Sequence, residues 1–501
     1  MAVVSALQTL VKSPADLLAA SLATVVTYAI SRIVYNVFFH PLRSFPGPIL
    51  HAASRIPYCH KLIRGTLPFD VLAMHKKYGD VVRVAPNELA ISTPQAWKDI
   101  MGPRDEVGKY MNFYRPTDRN VVNIVSASRE EHSLLRRQLS HGFSEKSMRE
   151  QESLIGAYID LLIKRLHELS SGGRNAVDLV AWYNYTTFDV IGDLAFGEPF
   201  GCLEDGKYHP FVKTIIESAR LGTILQSLAF YPLIKKILLG LVPKSVMERQ
   251  QKMARDKLVR RMESSKERPD LIEGLLKKKD EWNMSLEELE SNSTIILIGG
   301  SETTATLLSG VTFFLLTNPA VLEKLTTEVR SAFKAEEEIT LTSVAKLTYM
   351  LACLDEALRI YPPVPIGLPR VVPKGGRVIA GRFVPENTIV AIHQWATYHN
   401  DKHFSEPFGF HPERFIAEDR DRNSRFADDK FEALQPFHVG PRNCIGRNLA
   451  YAEMRLILAR IIYNFDMRIA DESRDWLSRQ KIYLMWEKGP MKVYLTPVSR
   501  K

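Results

Sequence analysis

Residues 437–456, FHVGPRNCIGRNLAYAEMRL, constrain the fold of this chain more than any other segment. They place a single cysteine, Cys444, among small and basic residues immediately before an apolar helical run. Gly440 and Gly446 allow tight turns and a close approach of the backbone to a flat, bulky group. A helix beginning near Gly446 would direct free N–H groups and a positive dipole end towards the sulfur, which favours a thiolate. A thiolate in this setting is typical of an axial ligand to haem iron.

The same segment forms a motif that is difficult to obtain by chance. Five residues occupy fixed positions within a span of ten, whereas a lone cysteine is usually a buried structural residue. The motif resembles the haem-binding signature of the cytochrome P450 family, and this resemblance implies that Cys444 is the axial ligand of haem b. The matching positions are Phe437, Gly440, Arg442, Cys444 and Gly446.

Length, cysteine content and charge favour one large domain outside the nucleic-acid-binding classes. The 501 residues are 45% hydrophobic, and no linker or repeat interrupts them after the N-terminus. The four cysteines contain no CxxC pair, so we expect no disulfide framework and a reducing compartment. The net charge of +9 is spread along the chain, which is compatible with a membrane surface or an acidic protein partner but predicts no nucleic-acid partner.

An apolar segment near the N-terminus predicts a membrane anchor. Residues 17–39 would form a helix of roughly 34 Å, close to the thickness of the bilayer core. The alternatives are a buried helix and a cleaved signal peptide, but the segment is long and no clear cleavage site follows it. We expect a transmembrane anchor at 1–40, a proline-rich hinge at 41–50 and a single haem-thiolate catalytic domain at 51–501. Resemblance to microsomal family members implies a single pass through the endoplasmic reticulum membrane with a cytosolic catalytic domain.

A long helix is predicted over residues 285–317, beginning with a capping box and ending at an Asn-Pro pair. Gly299 and Gly300 in its middle each cost about 1 kcal/mol relative to alanine, which suggests that a cofactor approaches the backbone. Thr303 can bond back to the Gly299 carbonyl, and Glu302 beside it could begin a proton relay. The alternative is a helix-packing groove with a solvated glutamate.

This central segment resembles the oxygen-activation motif of the family. By that match, Thr303 is the hydroxyl near bound dioxygen and Glu302 is the catalytic acid, with Gly299 where alanine is frequent. The pair argues against a haem-thiolate isomerase or dehydratase that needs no external electrons. It also argues against a haem or sterol carrier.

Three further residues are assigned a structural role by the resemblance. Glu356 and Arg359 could form an ordinary helix pair worth under about 1 kcal/mol. In the family, such a pair joins an arginine from a later Pro-Glu-Arg-Phe segment, which is present here with Arg414. The resemblance therefore implies a buried ionic triad that fixes the cysteine loop. We interpret residues 418–430 as an exposed charged loop.

Other residues are candidates for cofactor or substrate contacts. A capping box at 128–131 begins a helix with His132 and Arg136 on one face, where they could bind a haem propionate or belong to a solvated basic helix. Arg370 resembles a second propionate partner of the family. The apolar lining expected around a lipophilic substrate comprises Ile298, Val364, Ile366 and Leu368.

The chain also contains segments with clear periodicity. A hairpin is predicted at 80–94, and helices are predicted at 151–170, 181–197 and 349–361. The apolar part of 209–242 either packs in the core or dips into the membrane.

The resemblance covers nearly the whole chain and implies the fold of the family, mainly α with small β-sheets. Haem would lie between the long central helix and the cysteine loop. No GxGxxG site is present, so electrons from NADPH would require a separate cytochrome P450 reductase, with cytochrome b5 as a further candidate donor. Arg136, Arg137 and Arg447 are candidates for the docking surface.

The implied activity is a monooxygenase that uses dioxygen to oxidise a lipophilic small molecule. The segments around Gly300 and Cys444 look like filamentous-fungal enzymes of the isotrichodermin C-15 hydroxylase-like group. That group implies secondary-metabolite biosynthesis of the terpenoid, polyketide or mycotoxin type. Xenobiotic detoxification is the alternative.

Overall fold

A computed structural model of the protein describes residues 13–102, 107–115, 121–240, 244–264, 270–417 and 425–499. Within them the α-helices are α1 Pro14–Val34, α2 Ile49–Ala53, α3 Ile56–Ile63, α4 Leu67–Tyr78, α5 Pro94–Met101, α6 Met111–Tyr114, α7 Arg129–Gly142, α8 Glu145–Glu150, α9 Glu152–Ser170, α10 Leu179–Phe196, α11 Cys202–Asp205, α12 Pro210–Glu217, α13 Ala219–Leu228, α14 Pro232–Gly240, α15 Lys244–Glu263, α16 Glu273–Lys278, α17 Leu286–Thr317, α18 Pro319–Ala332, α19 Leu341–Val344, α20 Thr348–Ile360, α21 Gln394–Tyr398 and α22 Arg447–Asn464. The strands are β1 Val81–Ala85, β2 Glu88–Ile91, β3 Gly108–Lys109, β4 Ala176–Asp178, β5 Arg370–Val371, β6 Arg377–Ile379, β7 Arg382–Val384, β8 Ile389–Ala391, β9 Phe465–Ile469, β10 Lys481–Tyr483, β11 Met485–Glu487 and β12 Lys492–Pro497.

The strands of the described residues form four small sheets. The largest has the order β1-β2-β8-β5-β3, in which β1 and β2 are an antiparallel hairpin and β2 runs parallel to β8. The other sheets have the orders β4-β12-β9, β6-β7 and β10-β11. The expected class, mainly α with small β-sheets, is therefore confirmed, as is the hairpin predicted at 80–94.

The helix α17 runs through the hydrophobic core and carries the central residues of the site. At its start, the Glu288 N–H donates to the Ser285 hydroxyl, while the Glu288 carboxylate accepts from the Ser285 N–H, which completes the predicted capping box. The helix ends at Thr317, and Pro319 begins the next helix. It packs against α10, α20 and α22, so its side chains contact several layers of the core.

Most predicted helices are present, but the apolar segment 209–242 divides into three. The helix α12 buries Phe211 in the core. By contrast, Leu233 and Ile237 of α14 are 81% and 68% exposed, so core packing is wrong for that helix. The helices predicted at 151–170, 181–197 and 349–361 correspond to α9, α10 and α20.

The N-terminal segment Pro14–Phe39 consists of α1 and one π-helical turn. Its most apolar 18-residue window has a mean hydropathy of 1.7 and contains no buried residue, and the segment is long and apolar enough to cross a bilayer. Asn36 in the π-helical turn is buried. The helix α17 meets the same criteria of length and composition, but it is 67% buried within the protein. The two helices thus differ in what covers their apolar surface.

Candidate active site

The loop before α22 wraps closely around Cys444. The Cys444 N–H donates to the Phe437 carbonyl oxygen over 2.8 Å. Gly440 has a φ of +78°, and a Cβ there would lie 1.9 Å from the carbonyl oxygen of Met101. Glycine is therefore required at this position by both the left-handed backbone and the contact with α5.

Burial and local donors have opposite effects on the Cys444 thiol. The helix α22 begins after Gly446, whose N–H is directed at the sulfur and lowers the pKa of Cys444. Arg136 and Arg447 also lower it, but burial is the largest influence and raises the pKa overall. The features predicted to favour a thiolate are present, and a cation bound at the sulfur, such as a metal ion, would lower the pKa of Cys444 further.

Two adjoining cavities of about 260 and about 220 Å³ meet at Cys444. Both are mainly apolar, and the first extends towards His132 and Arg136 while the second extends towards Val364 and Leu368. The residues that line both cavities are Gly299, Thr303, Thr304, Phe437, Arg442, Cys444 and Ala450. Apolar space with a thiol at its centre and cations at one edge fits an iron porphyrin with its carboxylate side chains.

The predicted propionate partners occupy different positions relative to these cavities. His132, Arg136 and Arg442 line the first cavity. Arg136 also donates to the backbone and side-chain oxygens of Asn443, both over 2.6 Å, and thereby ties α7 to the cysteine loop. Arg370 donates to the Val107 carbonyl over 3.0 Å and is not among the described residues that line either cavity, so its role as a direct partner stays a prediction.

Adjacent residues of α17 face different cavities. The Thr303 hydroxyl donates to the Gly299 carbonyl over 2.7 Å, as predicted, and lines both cavities at Cys444. Glu302 is ion-paired with Lys488 and lines another cavity of about 190 Å³. The structure therefore brings the Thr303 hydroxyl to Cys444 but directs the Glu302 carboxylate elsewhere. The ion pair was not predicted, because Lys488 lies in a distant C-terminal turn.

The two central glycines have separate structural reasons. A Cβ at Gly299 would meet no atom within 4 Å, whereas a Cβ at Gly300 would lie 2.9 Å from Cδ1 of Ile191. Gly299 therefore leaves space open beside Thr303, and Gly300 permits close packing of α10 on α17. The open space at Gly299 is compatible with the predicted approach of a cofactor to the backbone. The alternative, a groove for helix packing, describes Gly300.

The apolar residues predicted to line a substrate pocket lie in different places. Val364 and Leu368 line the second cavity at Cys444. Ile366 is 4% exposed and packs in the core, so it is absent from the described lining of these cavities. Ile298 lines a third cavity of about 640 Å³ that shares Ile295 with the first.

The predicted ionic triad is present, and a fourth residue extends it to a cluster of four. Arg359 and Arg414 both bind the Glu356 carboxylate, with N–O distances of 2.7 and 3.2 Å, and all three side chains are completely buried. Arg414 also pairs with Asp429, which is equally buried. The interpretation of 418–430 as an exposed loop is therefore wrong at Asp429, and residues 418–424 lie outside the described part. The acid at 429 was missed because its partner comes from a separate segment.

Another buried acid, Glu453, lies on α22 nine residues after Cys444. Its side chain is fully buried, and neither carboxylate oxygen has a well-formed hydrogen bond in the described residues. Burial raises the pKa of Glu453 to about 8, with a smaller opposing effect from Thr304. The sequence analysis did not predict this buried acid, although Glu453 visibly interrupts the apolar helix face formed by Leu449 and Leu456.

Comparisons with known proteins identify the family to which the chain belongs. Residues 55–495 match the family model described as Cytochrome P450. The chain is 47% identical over 483 residues to cytochrome P450 monooxygenase prhB of Penicillium brasilianum, covering 95% of this chain and 97% of that protein. It is 50% identical over 488 residues to cytochrome P450 monooxygenase tpeC of Talaromyces stipitatus, covering 96% and 94%. It is 44% identical over 491 residues to trichothecene C-15 hydroxylase of Fusarium sporotrichioides, covering 96% and 98%. Since the family model and all three relatives extend over most of its length, the chain belongs to the cytochrome P450 family.

Proposed function

We propose that this protein is a membrane-anchored haem-thiolate monooxygenase that oxidises a lipophilic small molecule with dioxygen and electrons from NADPH. The observation that carries the proposal is the position of Cys444 where two apolar cavities meet, both of them also lined by Thr303. A thiol that only stabilised the fold would not need this open apolar space around it.

The residues around the cavities would bind and orient the cofactor. When bound, haem supplies the activation of dioxygen and the oxidation of a C–H bond. Cys444 would hold the iron, while Arg136, His132 and Arg442 would bind the propionates through charge-assisted hydrogen bonds. Gly440 keeps the loop against Met101 and would thereby help to hold Cys444 in position.

Proton supply would depend on Thr303 and Glu302. The Thr303 hydroxyl donates to the Gly299 carbonyl, so its oxygen can still accept a hydrogen bond from a group in the cavity. Glu302 is held by Lys488, which also donates to Thr306 over 2.8 Å. We propose that the Glu302 carboxylate rotates away from Lys488, takes up a proton from water and passes it to the Thr303 hydroxyl, directly or through a further water, while Thr303 releases its own proton into the cavity.

The electron donor would be a separate NADPH-cytochrome P450 reductase, with cytochrome b5 as a second candidate. Arg137 and Arg447 are exposed and would face an acidic surface on this partner. Arg136 is half-buried and bonded to Asn443, so we assign it to the cofactor rather than to docking.

The membrane arrangement follows from the exposed apolar surface. We propose that Pro14–Phe39 crosses the endoplasmic reticulum membrane once, within the anchor region 1–40, and that residues 41–50 form a hinge. Residues 51–501 would form the single cytosolic catalytic domain. The exposed Leu233 and Ile237 of α14 would rest on the same bilayer.

The proposed substrate is a fungal secondary metabolite with a terpenoid or polyketide scaffold. The fungal relatives, which include a trichothecene C-15 hydroxylase, support this class. Detoxification of xenobiotics is the alternative. The range of accepted compounds distinguishes them, since a detoxifying enzyme would oxidise many unrelated molecules.

The first test is the reduced carbon-monoxide difference spectrum of the full-length protein and its Cys444→Ser variant. We expect a strongly red-shifted Soret band in the parent protein and its loss in Cys444→Ser, because serine cannot replace the thiolate. Cys59→Ser is the matched control, since Cys59 is buried elsewhere in the core and should leave the band unchanged. A band that persists in Cys444→Ser would contradict the assignment of the ligand.

A second measurement separates monooxygenase from isomerase or dehydratase. The protein is reconstituted with reductase, and NADPH consumption is recorded with candidate substrates. We expect NADPH consumption to increase with substrate and to match product formed. Product formation without NADPH would favour the isomerase or dehydratase.

A further inference from the structure

The third cavity has a polar end and an apolar end along one face of α17. Its volume of about 640 Å³ exceeds that of either cavity at Cys444, and it shares Ile295 with the first of them. The residues of α17 in its wall are, in order, Glu287, Glu290, Ser291, Thr294, Ile295 and Ile298. The wall therefore changes from charged to hydroxylic to apolar as it approaches Thr303.

Hydrogen bonds hold the opposite wall of this cavity in place. Asn123 donates to the Ser291 hydroxyl over 2.9 Å. The Ile124 N–H donates to the Asn292 side-chain oxygen over 2.9 Å, which ties the loop to the helix a second time. Because the loop is fixed to α17 at two successive residues, the cavity between them is pre-formed rather than created by a ligand.

Thr294 differs from several other hydroxyl residues of the helix. Thr303, Thr304 and Ser309 each donate to the backbone carbonyl four residues earlier. The Thr294 hydroxyl makes no hydrogen bond to any described part of the chain, and it borders the third cavity. It can therefore both donate to and accept from a molecule that occupies this space.

The ionised groups of the cavity favour a neutral ligand. Arg255 pairs with Glu287 over 2.9 Å and with Glu290 over 3.3 Å. Arg115 is the other cation in the described lining, and it donates to the Ser126 carbonyl over 3.2 Å. Two arginines and two glutamates leave no excess charge in the lining to attract a carboxylate or an amine.

We propose that the third cavity binds the oxygenated end of the substrate and that Thr294 determines specificity by hydrogen bonding to it. This inference rests on the proposed monooxygenase function. Thr294 precedes Thr303 by nine residues, which is roughly 13 Å along a helix. The substrate class is thus a neutral, elongated apolar scaffold with a hydroxyl or carbonyl oxygen roughly 10–15 Å from the carbon that is oxidised.

The test compares two rigid probes that differ by one hydroxyl, androstanol and the parent hydrocarbon androstane. Dissociation constants are measured from the ligand-induced spin-state shift of the haem-loaded, full-length protein. We expect androstanol to bind about three- to tenfold more tightly, since one neutral hydrogen bond contributes about 1 kcal/mol. In Thr294→Val, which keeps the side-chain shape, the preference should disappear through weaker binding of androstanol alone.

Thr317→Val is the matched control at the far end of the same helix, where the hydroxyl donates to the Phe313 carbonyl. It should retain the full preference for androstanol. The proposal is overturned if Thr294→Val keeps the preference, or if the parent protein binds the probes equally or binds neither. A red-shifted carbon-monoxide band in the same sample distinguishes these results from a failure of the proposed function, because it reports the thiolate-ligated haem independently.

Discussion

Glu356 and Glu453 are both completely buried, but the protein surrounds them in opposite ways. Glu356 accepts hydrogen bonds from two guanidinium groups and from the His411 N–H over 2.9 Å. Glu453 has no comparable donor in the described residues, and burial raises its pKa to about 8. The first therefore belongs to a cluster of ion pairs, whereas burial without such partners favours the neutral form of the second.

The two acids are equally buried and differ in the partners that the fold brings to them. The cluster around Glu356 joins α20 to the segments containing Arg414 and Asp429. Glu453 instead occupies the helix that begins at the cysteine loop, beside Thr304 of the cavity wall. Replacing the carboxyl group by an amide should consequently lower the free energy of unfolding at Glu356 but not at Glu453.

The largest effect is expected when one cation of the cluster is removed. Arg414→Ala should lower the free energy of unfolding by about 3–5 kcal/mol, because Glu356 and Asp429 would keep buried charges without their shared partner. Urea unfolding of the detergent-solubilised full-length protein measures this change. A loss below about 1 kcal/mol would contradict the structural role of the cluster.

The same chemical change at the two glutamates sharpens the comparison. Glu356→Gln should lower the free energy of unfolding by about 3 kcal/mol, since the amide cannot neutralise two guanidinium groups. Urea unfolding at neutral pH measures it beside Glu453→Gln, which should not be destabilising there. Equal losses of unfolding free energy in both variants would contradict the different surroundings assigned to the two acids.

A pH series separates the acids further. The folded-state pKa of Glu453 is raised from 4.5 to about 8, so between these values the folded protein keeps a proton that the unfolded chain has lost. Stability contributed by this group therefore falls as pH rises, by roughly 1 kcal/mol per pH unit. Glu453→Gln lacks this contribution and should gain about 2 kcal/mol relative to the parent protein between pH 5 and pH 7.

The measurement is thermal or urea unfolding of both proteins at each pH. Glu432→Gln is the control, because Glu432 is exposed and should follow the parent curve. Parallel curves for the parent protein and Glu453→Gln would mean that Glu453 is ionised in the folded state.

The smallest effect is expected for an exposed ion pair near the cluster. Arg425 and Glu406 are 55% and 51% exposed and lie 3.1 Å apart. Arg425→Ala should change the free energy of unfolding by less than about 1 kcal/mol, since water replaces the lost partner. The same urea titration checks this value, and a loss as large as that of Arg414→Ala would remove the distinction between buried and exposed pairs.

The sequence predicted features that depend on local pattern. The capping boxes, the central helix and the hydrogen bond of Thr303 to Gly299 each involve residues within one or two helical turns. The cysteine loop was also predictable, because its motif is contiguous. Such features are determined by spacing along the chain, which a single sequence shows directly.

Features that depend on distant segments were not predictable in the same way. The pairing of Glu302 with Lys488 and of Arg414 with Asp429 requires the tertiary fold to bring the partners together. The position of Arg370 outside the cavities depends on a strand whose neighbours cannot be assigned from periodicity. The third cavity likewise requires a loop and a helix that are separated by more than a hundred residues.

The neighbouring glycines of α17 also differ in what they allow during evolution. At Gly299, the open space accepts a methyl group without moving any neighbour, so a change at this position can reshape the cavities at Cys444 while the fold is kept. At Gly300, any side chain would press on Ile191 of α10, so selection for packing acts before selection for chemistry. Substitutions at Gly299 can therefore change the shape of the cavity, whereas substitutions at Gly300 are limited by the packing of α10 on α17.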